Sequence, residues 1–432
     1  MPTETQHSHL DLLNPDMNGG RFGAVNLVPG LDFVFVYGGN GGGSTTPKVR
    51  LFGDPLLEAF KVEEISSNGT VPFLRATNDT TFDVVLIAGQ LVKGGKQNRG
   101  INTDILVCSG KTAQIPVTCV EQGRWNGGAG SRFQHGGVEP INIRSEKFRG
   151  VSSSRRGSGE FCADQSGVWN NIAQMSRSLQ APSDSKDLLA SLEQIKSRRS
   201  RGHAAEERLA GLSGTDLDAE LERLEHRLRE AQHQSHRLLE MLQSMVGHRD
   251  FDAITEHRRH LDRALRELGV IQGEIERVRH LRASRGNSSG ATVVTDQQLQ
   301  KADDAAKGAL GMLAFFNGEF LAGDLFANPE WFAKFYGDLR DSALMTWDMV
   351  AMRTAERGHQ MDPQSGTKAQ MMARSIVNDA LRGAWADRPA AAHGRAQMLE
   401  HPYLEGALLS DDGGAPLHVL VGSKHTPEVL RA

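Results

Sequence analysis

The sequence predicts an α+β fold: an antiparallel, β-sandwich-like body with packed helices and an inserted long antiparallel helical, coiled-coil hairpin. Residues 21 to about 150 consist of short β-type runs between turn residues, and the glycines cluster in the first 160 positions. Residues 216–283 instead carry apolar residues at alternating spacings of four and three, the pattern of a coiled coil. Residues 310–360 return to globular character.

Apolar runs of strand length predict the sheet of the body: 31–37, 82–87, 105–108 and 115–120. Pro116 lies in the last run. Because proline cannot donate to a ladder, we expect it at a sheet edge or among the first residues of a strand. The glycine run 38–44 lacks the strand–loop–helix context of a dinucleotide site and predicts a flexible loop.

Helical patterns occupy the middle of the chain. Apolar spacing predicts helix over 169–199, and Pro182 divides this segment into two helices. One apolar seam then runs over 217–245 and a second over 254–278, so we expect two antiparallel arms of ~30 residues, each roughly 45 Å long. From 200 to 290 fifteen Arg face sixteen Asp or Glu, which indicates a solvated, salt-bridged surface and argues against nucleic-acid binding.

The last third of the chain has well-defined start and stop signals. Asn317-Gly318 predicts a tight turn between two strands. Asn328 and Pro329 predict the N-cap and the first residue of a helix. Residues 366–386 predict another helix, and 416–421 a final strand that returns to the sheet.

These patterns predict a flexible N-terminus (1–20), an α+β domain (21–199 and 300–432) and an inserted hairpin (200–299). The three cysteines form no CxxC pair, which excludes a four-cysteine zinc site and is typical of a reducing, cytoplasmic setting. No apolar run reaches about 18 residues, so we expect no membrane span.

Positive charge is concentrated in residues 93–156, which contain eleven Lys or Arg against four Asp or Glu in a chain of net charge -4. Such a segment indicates a site for something anionic. Within it, Lys96, Gln97, Asn98 and Arg99 follow two glycines, and exposed backbone N–H groups beside cations suit a phosphate or a carboxylate. The alternative is a polar loop whose Asn98 caps a turn.

A second motif, Glu121 to Trp125, follows an apolar strand. Arg124 can fork onto a phosphate, Trp125 can stack on a base, and Glu121 can act as a general acid or base where it is partly buried. The alternative is a structural Glu–Arg pair with the Trp in the core.

Other candidates favour structural interpretations. Cys119 lies in an apolar run without a partner histidine, which favours a buried inert thiol over a nucleophile. Asp324 is interpreted as a turn carboxylate in preference to a catalytic acid. Eight histidines in the helical insertion favour a solvated face over a metal site. The remaining cations extend the positive segment on a predicted strand, with a solvated rim as the alternative: Arg144, Lys147, Arg149, Arg155 and Arg156.

Four motifs in order give the chain a family resemblance: Gly94–Arg99 with Asn102, Ile115–Trp125, Phe161–Trp169, and Asn317–Phe326 with Pro329. The chain resembles a bacterial family, the first type of ADP-ribosylglycohydrolase- and rhodanese-phosphatase-associated protein, over about 60–197 and 308–357. The resemblance implies a link to ADP-ribose or nucleotide metabolism in a stress or conflict system, and no reaction. The chain departs from the family in having Ala88-Gly89-Gln90 where members carry an acidic residue, and in the helical insertion.

The leading hypothesis is therefore binding or processing of an anionic phosphorylated small molecule, a nucleotide or an ADP-ribose derivative. Lys96, Arg99 and Arg124 would hold the anion and Trp125 would stack, with Gln97, Asn98 and Asn102 as further ligand-binding residues and Glu121 for proton transfer. The alternative is an interaction or assembly protein that oligomerises or grips a partner through 216–283. Nucleic-acid binding comes third and predicts affinity that falls steeply with salt. The sequence identifies no cofactor and no metal, and leaves enzymatic activity open.

Overall fold

The structure is a computed structural model that describes residues 21–38, 48–66, 68–125, 132–210, 214–245, 251–284, 294–357, 361–362 and 364–431. The chain divides into two units, one of Met1–Glu193 with Thr292–Ala432 and the other Gln194–Ala291. The predictions for the N-terminus, for most of the glycine run 38–44 and for the turn between the hairpin arms lie outside the described residues.

The structure confirms the predicted α+β class. In chain order, the strands are β1 (Phe22–Val28), β2 (Leu31–Val36), β3 (Val49–Leu51), β4 (Phe60–Glu64), β5 (Phe73–Asn78), β6 (Asp83–Leu86), β7 (Gln90–Lys93), β8 (Arg99–Ile101), β9 (Ile105–Val107), β10 (Thr112–Cys119), β11 (Gln134–Val138), β12 (Gly311–Phe316), β13 (Glu319–Phe326), β14 (Ala384–Arg388), β15 (Arg395–Glu400), β16 (Leu404–Ser410) and β17 (Pro416–Ser423). The α-helices are α1 (Ile141–Gly157), α2 (Gln165–Ser178), α3 (Leu188–Ala210), α4 (Gly214–Ser244), α5 (Phe251–Ser284), α6 (Asp296–Ala306), α7 (Pro329–Arg357) and α8 (Ser365–Arg382).

The first unit contains three sheets. The largest has the order β1-β2-β12-β13-β17-β16-β15-β14 and is antiparallel throughout. The second, β11-β7-β8-β10-β5-β4, is also antiparallel. The third, β3-β6-β9, shares one apolar core with the second, so these two sheets form a small sandwich-like body.

Helices cover both faces of the eight-stranded sheet. The alanines and aliphatic residues of α8 pack on one face, in a core with Leu313 and Val419. Aromatic residues of α7 pack on the other face, where Phe332 and Tyr336 meet Phe35 in edge-to-face contacts. The final strand, β17, lies between β13 and β16 and confirms the predicted return to the sheet.

Local signals were accurate where they depend on turn and cap chemistry. Asn317 and Gly318 both have positive φ and join Phe316 to Glu319, the geometry of a tight two-residue hairpin. Asn328 accepts a hydrogen bond from the Trp331 backbone at 2.9 Å, which confirms the predicted cap.

Two sequence expectations about the first unit are wrong. Residues 141–157 form helix α1 where the sequence predicted strand and loop, because buried Arg144 and Lys147 occupy core positions of the helix and hide its apolar period. Pro116 lies in the middle of β10, which is an inner strand of its sheet. It is tolerated there because β10 changes partner at this point, from β5 to β8.

The second unit consists largely of α4 and α5. Leu217, Leu224, Ile271, Ile275 and Val278 are buried in a core that the two helices share. Ion pairs connect Glu225 to Arg279 and Arg227 to Glu274, so the helices run in opposite directions. The polar seam residue Ser235 is satisfied by the carbonyl of Ala231. Coiled-coil geometry and the status of this unit as an insertion stay predictions.

Candidate functional site

The two glycine-containing motifs meet in space. Strand pairing sets Cys119 of β10 opposite Arg99 of β8, so the segments after and before these strands are neighbours. Asn98 ties them together: its backbone N–H donates to Glu121 Oε2 at 3.1 Å, and its side-chain amide donates to Asp187 at 3.1 Å. Asp187 in turn accepts from the first backbone N–H groups of α3.

Glu121 is a buried carboxylate that is saturated with hydrogen bonds. Arg124 donates to both of its oxygens, at 2.9 and 2.7 Å, and Ser185 and the Asn98 backbone donate at 2.8 and 3.1 Å. Burial raises the pKa of Glu121, but these donors outweigh burial and hold the pKa below its ordinary value. The carboxylate is therefore ionised near neutral pH, and the four donors that stabilise this form make it a weak proton acceptor as well as a poor proton donor.

Arg124 uses its guanidinium within the protein. Besides the two bonds to Glu121, its Nη1 donates to the carbonyl of Gly95 at 2.8 Å. The structural Glu–Arg pair that the sequence left as an alternative is thus present. The alternative that Trp125 fills the core is not observed, because Trp125 is 46% exposed and lies outside the core.

Arg99 is wholly buried beneath Trp125. Its exposed fraction is 0%, and its guanidinium carbon lies 5.5 Å from the centre of the Trp125 ring. Its Nη1 donates to Gln97, but its Nε and Nη2 have no hydrogen-bond partner among the described residues. The nearest carboxylate belongs to Glu64 of β4, whose Oε1 is 3.9 Å from Nη2 and whose Oε2 is also without a partner in that part of the chain.

Lys96 is partly exposed, as is Arg124, but its ammonium is not held by Glu121. Its Nζ lies 5.9 Å from the centre of the Trp125 ring, and within the described ranges no carboxylate is in ion-pair distance. Its backbone N–H donates to Glu64 at 3.0 Å. The glycine-rich loop therefore already holds an anion, the carboxylate of Glu64. Gly95 gives room to another part of the protein and not to a ligand: a Cβ at this position would lie 2.2 Å from the Phe133 ring.

The three predicted amide ligands are buried and internally bonded. Gln97 contacts Arg99 and the Gln122 carbonyl, Asn98 joins the motifs as described, and Asn102 bridges the Phe161 carbonyl and the Thr118 hydroxyl. Cys119 is also buried, and burial raises the pKa of its thiol despite the nearby Arg99, in keeping with an inert thiol. These residues shape the site without facing solvent.

The positive charge of residues 93–156 is neutralised in space by acids from outside the segment and within it. On α1, Arg144 forms a forked pair with Asp324 of β13, and Lys147 donates to Glu139 at 2.6 Å. Farther along the helix, Arg156 pairs with Glu405. The expectation of one strand face or a solvated rim for these cations is wrong, because a helix carries Arg144 and Lys147 into the protein interior.

A buried charge network that the sequence did not predict lies next to α1. His418 of β17 contacts Asp104 at 2.7 Å through Nδ1 and Asp324 at 3.1 Å through Nε2. Burial alone lowers the pKa of His418, but the two carboxylates outweigh it and raise the pKa to about 9. Burial raises the pKa of Asp324, yet the Arg144 charge outweighs it and holds that pKa well below its usual range. Asp324 is a strand residue of this network and not a turn carboxylate.

Two motif glycines make room for these ion pairs. A Cβ at Gly89, where φ is +81°, would lie 2.5 Å from Arg144 Cδ. A Cβ at Gly100 would lie 1.9 Å from Glu139 Oε1 and 2.8 Å from Lys147 Nζ. Two sequence signals could have indicated the network: glycines just before and within the cation-rich segment, Gly89 and Gly100, and a histidine inside the apolar final strand, His418.

Residues 23–217 match the family model described as the ARG and Rhodanese-Phosphatase-superfamily-associated Protein domain. The family resemblance of the sequence is thereby confirmed, and this region carries a domain of that family. The match continues past residue 200, so it does not define a helical insertion, and the motifs at 308–357 lie outside it. No curated protein and no solved structure gives a significant match.

Two other features, a membrane-spanning helix and a metal site, have no candidate in the described part of the chain. Its helices include none that is both long and apolar enough to cross a bilayer. Among the same residues, no three His, Cys, Asp or Glu side chains converge as metal ligands.

Proposed function

We propose that the surface around Lys96 and Trp125 binds a phosphorylated small molecule of the nucleotide class, a nucleotide or an ADP-ribose derivative. One observation carries the proposal: a half-exposed indole lies against two cationic side chains, Arg99 at 5.5 Å and Lys96 at 5.9 Å. An indole offers a stacking face for a base, and the Lys96 ammonium, which has no carboxylate partner in the described part of the chain, offers a charge for a phosphate. The family description names an association with ARG, the ADP-ribosylglycohydrolases, and with rhodanese-phosphatase proteins, which is compatible with a ligand of this class.

The residues divide the work in this proposal. Trp125 stacks on the ring and Lys96 holds the phosphate. Arg124 has a structural role, since its fork holds Glu121 and so fixes the loop before Trp125. Glu121, Asn98 and Asp187 keep the two motifs in place. Glu121 has no proton-transfer role in this proposal, because both of its oxygens are engaged by donors of the protein.

Ligand-induced stabilisation of the full chain tests the proposal, with AMP and ADP-ribose as probes. A ligand present at a hundred times its Kd stabilises a folded protein by about 2.7 kcal/mol. We expect this gain for the wild type and for Lys93→Ala, the control, since Lys93 is exposed at the end of β7. Lys96→Ala and Trp125→Ala should lose most of it. Equal shifts in all four proteins would contradict the proposal.

A second function, assembly through the second unit, rests on a different observation. Leu239, Met241 and Leu265 of α4 and α5 are exposed and lie outside the buried core that these helices share. Such residues favour a contact with another chain. Light scattering tests this: Leu239→Glu with Leu265→Glu should convert an oligomer into a monomer. A wild type that is monomeric at high concentration would remove this candidate.

A further inference from the structure

Beneath Trp125 lies an unsatisfied hydrogen-bonding pair. Arg99 presents two donors, Nε and Nη2, and Glu64 presents one acceptor, Oε2, none of which has a partner among the described residues. Both side chains are buried, Arg99 at 0% and Glu64 at 4% exposure. A buried polar atom without a partner is costly, so each such atom calls for a group that completes its bonding, for example a ligand or an ordered water.

The charges of this pair decide what can bind it. Glu64 Oε1 lies 3.9 Å from Arg99 Nη2, so the guanidinium already has a carboxylate beside it. A phosphate that accepted from Arg99 would lie against this carboxylate, and two like charges at such a separation repel in a buried site. A neutral group avoids this repulsion.

The protein offers the donors of Arg99 beside the acceptor of Glu64. A complementary ligand group therefore carries an acceptor beside a donor. The hydrogen-bonding edge of a nucleobase has this arrangement, for example a ring nitrogen next to an amino group. Building on the proposed function, we infer that Arg99 and Glu64 recognise the neutral edge of a nucleobase, while the phosphate lies outside, at Lys96.

Access to this pair requires a movement of Trp125. The indole lies 5.5 Å from the Arg99 guanidinium and is itself at the surface, so it covers Arg99 from outside. A base that enters here displaces the indole from Arg99 and stacks against it. The same side chain is therefore both the cover of the inner pair and the stacking surface for the ligand.

The substitution Glu64→Gln distinguishes a neutral base edge from a phosphate as the group bound at Arg99, because it should weaken binding of the first and strengthen binding of the second. It removes one negative charge but keeps the side-chain oxygen that accepts from the Lys96 backbone at 3.0 Å. Binding of a neutral base edge should weaken about tenfold, as a charged acceptor is replaced by a neutral one. Binding of a phosphate at Arg99 should instead become tighter. Glu63→Gln is the matched control, since adjacent strand residues face opposite sides.

Calorimetric titration of the full chain with adenosine, guanosine, cytidine, uridine and pyrophosphate gives the result. We expect at least one nucleoside to bind the wild type and Glu63→Gln with equal affinity, and to bind Glu64→Gln about tenfold more weakly. Pyrophosphate binding should depend on Lys96 alone. Tighter pyrophosphate binding by Glu64→Gln, or pyrophosphate binding without any nucleoside binding, would overturn the inference and leave the proposed function standing. If neither class of probe binds, both fail. Unchanged thermal midpoints of the variants establish that they are folded.

Discussion

The stability of the first unit should depend on pH through His418. Both ring nitrogens of this buried histidine face carboxylates, Asp104 and Asp324, and only the imidazolium can donate from both nitrogens at once. Its pKa is raised from 6.5 to about 9. A difference of this size between the folded and unfolded chains corresponds to about 3 kcal/mol of folding free energy.

The raised pKa fixes the direction of the effect. The folded chain keeps the proton at pH values where the unfolded chain has lost it. The contribution of His418 is therefore complete below pH 6.5 and is lost as the pH rises through about 9. Arg144 keeps its charge over this range, so it does not take part in the titration.

Urea denaturation from about pH 6 to about pH 10, followed by tryptophan fluorescence, measures this effect. All five tryptophans lie outside Gln194–Ala291, so the signal reports the first unit. His418→Gln removes the titrating group, and His425→Gln, at an exposed histidine, is the control. The difference in unfolding free energy between wild type and His418→Gln should shrink by about 3 kcal/mol across the range. A difference that stays constant with pH would refute the reasoning.

Two further predictions concern packing. Gly89→Ala should cost about 3 kcal/mol or more, because its Cβ would lie 2.5 Å from Arg144 Cδ and disturb the buried pair. Gly110→Ala, at a positive φ with no atom within 4 Å, should cost only about 1 kcal/mol in the same urea experiment, and equal costs would contradict the assigned function of Gly89. Leu224→Ala, in the core between α4 and α5, should cost about 2 to 5 kcal/mol by far-UV circular dichroism, while Gln232→Ala, at an exposed position of α4, changes little. Similar losses at both positions would contradict the described helix packing.

The sequence was informative where structure depends on local chemistry. The turn at Asn317-Gly318, the cap at Asn328 and the helix break near Pro182 follow from backbone conformation, hydrogen bonding and proline geometry, and neighbouring residues suffice to predict them. The seam at Leu224 follows from helical periodicity in the same way.

The sequence was misleading where the outcome depends on partners far along the chain. The positive segment appeared unpaired because its counter-ions are distant in sequence: Arg144 pairs with Asp324, and Arg99 lies beside Glu64. Helix α1 was missed for the same reason, since a buried cation resembles a surface residue until its acid is known. The two motifs lie side by side in the structure, but most of their hydrogen bonds serve the fold, and the sequence did not single out Glu64 at all.

The central claim is that a nucleotide-class ligand contacts Trp125 beside Lys96. The most direct measurement is the indole N–H spectrum of the full chain labelled with nitrogen-15 at its five tryptophans, with Trp125 assigned from Trp125→Phe and ADP-ribose as titrant. The Trp125 resonance should move and saturate, and Lys96→Ala should abolish the movement. A Trp125 resonance that stays in place while other indole signals respond, or a full response in Lys96→Ala, would contradict it.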